Sequence, residues 1–394
     1  MGVLRIDIEP SVLDWALRRT GLSDEKLRAT FPKVNDWRSG EERPTLNQAE
    51  ELAKKARIPF GRLLLQAPSG EETDLPDFRT VRNERLDGLS PDLQEVIHSA
   101  EARLGWYADY AEEVGIPGPE ILRSAQDSTS PVLAARQARI ALDLDETSPI
   151  AGPEKVTTLT HHMEDTGILV SRNAIVGNST QRHLSIDEFR GFTLIDGEYC
   201  LVFVNTSDAK TAQLFSLAHE LGHVALAKAG ISDHSDHLRV GRWCNEFAAA
   251  FIAPETAVKE RYNKKCSLLD NVTSLASVFG ISREAMLLRL KDIFLIEQQE
   301  FDEVMRLVRV RKEKKATQEG GGGPSFHVLV RSRVGGRFFE TITFAAKSGQ
   351  IPERDAARLL GAASYKSFEN LVKKSDWASR EAEYLGSKFQ LIGD

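Results

Sequence analysis

Apolar positions recur every three or four residues in most of this chain, and short continuous apolar runs replace that pattern only in its middle part. The spacing predicts four short helices near the start of the chain, over residues 11–19, 23–30, 32–38 and 46–57. Ser23 is a suitable N-cap for the second of these helices. The side chains expected to share one small core here are Val12, Leu13, Ala16, Leu17, Leu22, Leu27, Leu46, Ala49, Leu52 and Ala53. Residues 11–65 are therefore predicted to form a compact helical module.

The middle of the chain mixes helices with a small sheet. Helical spacing extends over residues 90–144 and returns at 157–167, 212–229 and 242–252, and residues 272–288 have the pattern of two helices joined by a turn. Apolar runs at 168–170 and 201–204, bounded by Asn and Gly, are typical of strands. The predicted fold class is α+β and mostly helical.

Breaks in these patterns divide the chain. Residues 67–83 combine prolines, glycines and acids, and the run of four glycines at 320–323 is the clearest flexible linker. We predict a helical domain at 1–67, linker and scaffold helices at 68–130, a central domain at 131–312, a glycine-rich linker at 313–325 and a separate C-terminal unit at 326–394. In this last unit, 326–330 and 338–344 are predicted as strands or a strand and a helix, and 351–360 as a helix.

Composition narrows the class of protein. With 51 Lys and Arg against 58 Asp and Glu, the net charge of −7 argues against a general affinity for nucleic acid or membranes. No apolar run of roughly eighteen residues predicts a membrane span. The three cysteines, Cys200, Cys244 and Cys266, are widely spaced and odd in number, which favours a reducing compartment and three structural thiols. The expected location is the cytoplasm.

The strongest chemical signal is His219-Glu220-Leu221-Gly222-His223. In a helix, residues four apart share a face, so His219 and His223 can both reach one tetrahedral zinc ion. Glu220 can then act as general base toward the attacking water. This pattern predicts zinc-dependent hydrolysis.

Two further stretches of sequence resemble known protein families. Residues 214–223, together with 243–254, resemble the ImmA/IrrE family of metallo-endopeptidases. Residues 35–45 resemble the turn after the third helix of XRE-type, lambda-repressor-like helix-turn-helix domains, which often precede that peptidase domain. The resemblance implies an N-terminal helix-turn-helix bundle, followed by a zincin-like peptidase domain that cleaves peptide bonds.

The third zinc ligand implied by the resemblance is missing. The family carries a ligand Glu four residues before the Asn that matches Asn245, and that position is Gly241 here. Asn245 itself is expected to orient an imidazole. The candidate substitutes for the ligand are Glu246, Asp236 and His237. A loss of metal and catalysis with retention of the fold is the other interpretation.

The resemblance leaves two functions open. One is an active endopeptidase that cleaves a partner repressor, with its substrate strand added to the sheet near residues 201–205. The other is a regulator with a degenerate peptidase-like domain, acting as an antitoxin or transcriptional regulator through a partner such as a PIN-type ribonuclease toxin or a repressor. DNA contact through residues 11–65 would use Lys33, Asn35 and Arg38. That contact is expected to be weak, because residues 1–70 hold twelve basic and ten acidic side chains.

Overall fold

The computed structural model describes residues 4–20, 22, 24–56, 60–67, 89–126, 128–228, 230–232, 239–313, 326–362 and 365–374. The parts of the chain so described are mostly helical and contain one small sheet, so the predicted α+β class is confirmed. The chain divides into two compact units, residues 1–79 with 86–94, and residues 80–85 with 95–394. No helix among the described residues is both long enough and apolar enough to cross a bilayer.

The N-terminal unit contains the predicted helices and a short 3-10 helix. Their bounds are α1 Pro10–Arg19, α2 Asp24–Thr30, α3 Val34–Ser39, α4 Leu46–Ala56 and the 3-10 helix Phe60–Leu64. Pro10 starts α1 because its missing N–H is not needed in the first turn of a helix. The predicted cap Ser23 lies outside the described residues. Most of the predicted core is buried, and Phe31, Val34 and Trp37 complete it. An XRE-type domain stays a prediction for this unit.

The remaining helices and four strands follow in a mixed order. The first helices are α5 Pro91–Val114, α6 Pro131–Ala141 and α7 Lys155–Asp165. The strands are β1 Leu169–Asn173, β2 Gly191–Asp196, β3 Tyr199–Asn205 and β4 Gly230–Ser232, with α8 Lys210–Leu226 between the last two. The helices after the sheet are α9 Arg239–Ile252, α10 Glu255–Arg261, α11 Leu268–Phe279, α12 Arg283–Asp292, α13 Gln298–Glu313, α14 Phe326–Val334, α15 Gly336–Lys347, α16 Glu353–Leu359 and α17 Tyr365–Lys374.

The sheet has the strand order β1-β3-β2-β4, with β3 parallel to β1 and antiparallel to β2. Every residue of β3 is buried, and both of its edges are paired. The prediction that a substrate strand adds near residues 201–205 is therefore wrong, because no backbone group on β3 is left to pair with it. Strands β2 and β4 were not predicted.

Two buried arginines fix the C-terminal end of α9. Arg139 of α6 is 1% exposed and donates to the Phe251 carbonyl at 2.6 Å, and Arg289 of α12 donates to the Ala253 carbonyl at 2.9 Å. The last carbonyls of a helix have no partner within the helix, so these guanidinium groups satisfy them. The position of α9 is thereby set from two sides.

The C-terminal segment is helical and packs on the sheet. Residues 326–330 and 338–344 were predicted as strands or as a strand and a helix. The strands are wrong, because α14 and α15 cover these residues. Glu164 of α7 accepts from the Gly336 N–H at 2.5 Å, at the first turn of α15. Because α14 and α15 lie in the same compact unit as the sheet, a separate C-terminal unit is not confirmed. Residues 314–325, which hold the glycine run, lie outside the described residues.

Gly335 tests this packing. Its φ is +91°, and a Cβ placed there would lie 2.8 Å from the Val170 carbonyl oxygen of β1. We expect Gly335→Ala to lower the free energy of unfolding by roughly 2–4 kcal/mol, because it combines left-handed strain with a backbone clash. Gly349→Ala is the matched control, since Gly349 has a φ of +76° with no described atom near its Cβ position. Its cost should stay at about 1 kcal/mol in urea titrations, and equal losses for the two variants would contradict the packing of α15 on β1.

Candidate functional site

Helix α8 carries both histidines, and its C-terminal end positions His223. The helix closes at Ala227, which has a left-handed conformation with φ of 51°. This turn brings Lys228 back to His223: the Lys228 N–H donates to the His223 carbonyl at 2.9 Å, and His223 Nδ1 lies 3.0 Å from the Lys228 carbonyl oxygen. A carbonyl can only accept, so Nδ1 of His223 carries the proton and Nε2 has a free lone pair.

His219 is held in a similar way from the neighbouring helix. Its Nδ1 lies 2.9 Å from Oδ1 of Asn245 on α9, which again leaves Nε2 as the nitrogen with a lone pair. The two imidazole rings lie on one face of α8 with centroids 5.1 Å apart. Each ring is thus oriented by an oxygen on its far side, as is usual for metal-binding histidines.

Cys244 is the third side chain at this place. Its Sγ and one nitrogen from each of His219 and His223 all lie within 4.8 Å of one another, and Cys244 is fully buried. The sequence analysis interpreted this cysteine as a structural thiol. No local sequence signal separates it from a core thiol, because its approach to the histidines depends on how α9 crosses α8.

Gly222 allows this approach. A Cβ at Gly222 would lie 3.2 Å from Cys244 Sγ and 3.4 Å from Cys244 Cα. A larger residue between the two histidines would therefore push α9, with its cysteine and asparagine, away from α8.

Glu220 lies on the side of α8 that faces the sheet. It is 0% exposed, and its Oε2 accepts from Thr193 Oγ1 of β2 at 2.7 Å. Its other oxygen points toward Gly191, where a Cβ would come within 2.8 Å of it. The carboxylate is thus enclosed next to the histidine pair and is not a member of the histidine and cysteine cluster.

Burial controls the protonation of the cluster. It lowers the pKa of His223 to about 3, with a smaller contribution from His219, so His223 is neutral near pH 7. Burial, together with the charge of Glu220, raises the pKa of the Cys244 thiol well above its usual range. Without a cation, His223 is therefore a neutral imidazole and Cys244 a thiol.

Of the other predicted ligands, only Glu246 lies among the described residues, and it is not part of this cluster. Glu246 is exposed on α9, and Asp236 and His237 lie outside the described residues. A side chain at Gly241 would enter open space as far as the described atoms show.

The predicted DNA contacts lie on or beside α3. Lys33 is ion-paired with Glu42 at 2.8 Å, and Arg38 lies 3.3 Å from Asp24. Asn35 is exposed. Two of the three side chains thus already have acidic neighbours within their own unit.

Thr193 is expected to stabilise the buried Glu220 carboxylate. In metal-free protein, Thr193→Val should lower the free energy of unfolding by about 1–3 kcal/mol. Valine has the shape of threonine but no hydroxyl group, so the carboxylate loses its hydrogen-bond donor. In a Glu220→Gln background the same change should cost clearly less, since a neutral amide tolerates burial better. Equal costs in the two backgrounds, measured by urea titration, would show that the hydroxyl does not serve the carboxylate.

Residues 163–291, about a third of the chain, match the family model described as the IrrE N-terminal-like domain, Peptidase_M78. The match contains α8, β2 and α9, and so all the residues of the site. No curated protein matches the chain. Members of this family are typically zinc-dependent. The match supports the ImmA/IrrE family for this part of the chain and suggests a zincin-like regulatory or protease module.

Proposed function

We propose that this chain is a regulatory protein whose peptidase-like domain holds zinc through His219, His223 and Cys244 and acts through a partner protein. The supporting observation is the convergence of two imidazoles, each with Nδ1 already bonded, and one buried sulfur within 4.8 Å of one another. Two His nitrogens and a Cys sulfur are zinc donors, and three protein ligands with one open position is a common arrangement.

The cluster fits a zinc ion after a small contraction. Zinc bonds of roughly 2.0–2.3 Å place the ligand atoms of a tetrahedral site at roughly 3.3–3.7 Å from one another. The observed limit of 4.8 Å requires the side chains to close by about an ångström.

The donor set favours regulation over hydrolysis. A bound zinc would lower the pKa of a water molecule and polarise a carbonyl. A thiolate is a softer and more electron-rich donor than the carboxylate expected at Gly241, which weakens that polarising effect. Glu220 is completely buried and bonded to Thr193, so the structure encloses the general base that hydrolysis would need.

The partner and the DNA target are those that the resemblance to the ImmA/IrrE family with an XRE-type domain implies. The N-terminal helical unit would contact DNA through Lys33, Asn35 and Arg38, and the peptidase-like domain would bind a PIN-type ribonuclease toxin or a repressor. Since Lys33 and Arg38 are paired with carboxylates, phosphate must displace Glu42 and Asp24. DNA binding is then weak and sensitive to salt.

An active endopeptidase is the second candidate. It is favoured by the position of Glu220 beside the two histidines on the same helix, which is the arrangement that general-base attack by water on a peptide bond requires. In this case Glu220 would take the proton of the water and deliver it to the leaving amine.

Metal analysis tests the zinc site. We expect about one zinc per purified chain, lost in His219→Ala, and at least tenfold weaker binding in Cys244→Ala. Cys200→Ala is the matched control, because Cys200 is also fully buried but lies on β3 outside the cluster. Cobalt in place of zinc should give a thiolate-to-metal absorption band in the wild type and in the control. A wild-type chain without metal would overturn the proposal, and metal without this band would remove Cys244 from the ligand set.

A reporter gene under the chain's own promoter separates the two candidate functions. In cells that lack the chromosomal copy, we expect Glu220→Gln to restore the wild-type reporter level, because binding to a partner does not need the general base. The Lys33→Ala, Asn35→Ala, Arg38→Ala triple variant should not restore it. Rescue by the wild type but not by Glu220→Gln, at equal protein level, would favour the peptidase.

A further inference from the structure

A second polar site lies away from the histidine cluster, in a cavity between α5, the end of β1, α14 and α16. Its volume is about 130 Å³, well above the ~10–15 Å³ that a single water needs. Among the described residues that line it, the basic side chains are Arg103, Arg333 and Arg358, and the acidic one is Glu95. These three arginines come from three different helices.

Arg103 is the most deeply buried of them. The residue is 9% exposed, and its Nη1 donates to Ser99 Oγ at 3.2 Å. Its Nε has no hydrogen-bond partner among the described residues. Burial lowers the pKa of Arg103 to about 10, and no described carboxylate opposes that effect. A guanidinium in such surroundings stays charged near pH 7 and is costly to bury without an anion.

Arg333 repeats this pattern from the opposite wall. Its Nη1 donates to Asn178 Oδ1, which in turn is fixed because Asn178 Nδ2 donates to the Gly361 carbonyl at 2.7 Å. Its Nε also has no partner in the part of the chain that the structure describes. Burial lowers the pKa of Arg333, again without a described acidic neighbour. The guanidinium is held in place by a neutral group, not neutralised.

The acidic residue of the cavity does not balance these charges. The Glu95 carboxylate is bound by Arg182, whose Nη1 lies 3.3 Å and Nη2 2.5 Å from its two oxygens. This bidentate pair neutralises Glu95. Arg358 is exposed, and so adds a third positive charge at the open side of the cavity. Among the residues that the structure describes, the cavity therefore has an uncompensated positive charge.

We propose that this cavity binds a phosphate group, as inorganic phosphate or as the phosphoryl end of a small phosphomonoester. Guanidinium groups bind phosphate oxygens through paired N–H donors, and a tetrahedral dianion can accept from donors on several sides at once. A planar carboxylate offers only two oxygens and one charge. A phosphate in the cavity would then accept from the guanidinium groups of Arg103 and Arg333 that line it, and would offer a further oxygen to Arg358.

Such binding would connect the C-terminal helices to the sheet. Arg333 belongs to α14, Arg358 to α16 and Arg103 to α5, while Phe203 of β3 forms part of the same wall. Since β3 pairs with β2, which contacts Glu220 through Thr193, the cavity and Glu220 both contact this sheet.

Titration calorimetry of the full chain tests this site, with inorganic phosphate and glycerol 3-phosphate at constant ionic strength. The wild type should bind at least one of the two ligands saturably at one site. Charged hydrogen bonds contribute about 1.5–3 kcal/mol, so Arg333→Ala and Arg358→Ala should each weaken binding by roughly tenfold or more. Arg354→Ala is the control, because Arg354 lies on α16 with its side chain 90% exposed and outside the cavity.

The outcomes separate the two sources of phosphate. Equal affinity for both ligands indicates that the phosphate group alone is recognised, and tighter binding of glycerol 3-phosphate indicates a phosphomonoester. No saturable binding of either ligand, or equal binding by all three variants, would overturn the proposal. Circular dichroism and melting temperature verify that each variant is folded. Arg358 is exposed, so its variant provides the test even where Arg333→Ala unfolds.

Discussion

The close approach of α8 and α9 is the constraint on which the site depends. The two helices can approach because Gly222, in the middle of the histidine motif, has no side chain. A Cβ at this position would press against Sγ and Cα of Cys244. Helix α8 therefore supplies the two imidazoles. Helix α9 supplies Asn245, whose oxygen orients His219, and the Cys244 sulfur, which lies beside both rings. The carbonyl bonds from Arg139 and Arg289 fix α9 at its C-terminal end, so this approach does not depend on a metal ion.

The sheet buries the face of α8 that carries Glu220. Gly191 and Thr193 of β2 enclose Glu220, and β3 behind them is paired on both sides. In the same helix, the face with the histidines is turned toward α9 and the carboxylate is turned toward β2. The separation follows from helical geometry, because neighbouring residues point about 100° apart. It leaves Glu220 more enclosed than His219, which is only partly buried.

Helical periodicity predicted most of the fold, because the apolar positions of an amphipathic helix repeat over several turns and are easily recognised in the sequence. The helices α1 to α4 lie within two residues of their predicted starts. Strand β2 was missed, although Asp196-Gly197 between two apolar runs is a hairpin signal, and Gly197 has a φ of +56°. For the residues of α14 and α15, strands or a strand and a helix were predicted, because Val328, Val330 and a run of aromatic residues favour strands locally. Packing against β1 overrides that preference.

The candidate site was predictable as far as one helix determines it. His219, Glu220 and His223 share a helix, so their relative positions follow from spacing alone. Cys244 could not be placed in this way, because its distance from the histidines depends on how α9 crosses α8. A cysteine is also commonly buried for packing, and nothing local to residue 244 distinguishes a ligand from a core thiol.

Buried arginines in this molecule show how the same residue type can serve structure or binding. Arg139 and Arg289 are buried, and each donates to carbonyls at the end of α9. Arg103 and Arg333 are also desolvated, but each keeps an Nε with no described partner, beside a cavity. A protein interior tolerates a buried cation when its donors are satisfied. Arg103 and Arg333 line open volume without a described carboxylate beside them, whereas Arg139 and Arg289 donate to backbone carbonyls, and this contrast is the basis for proposing that the first pair binds an anion.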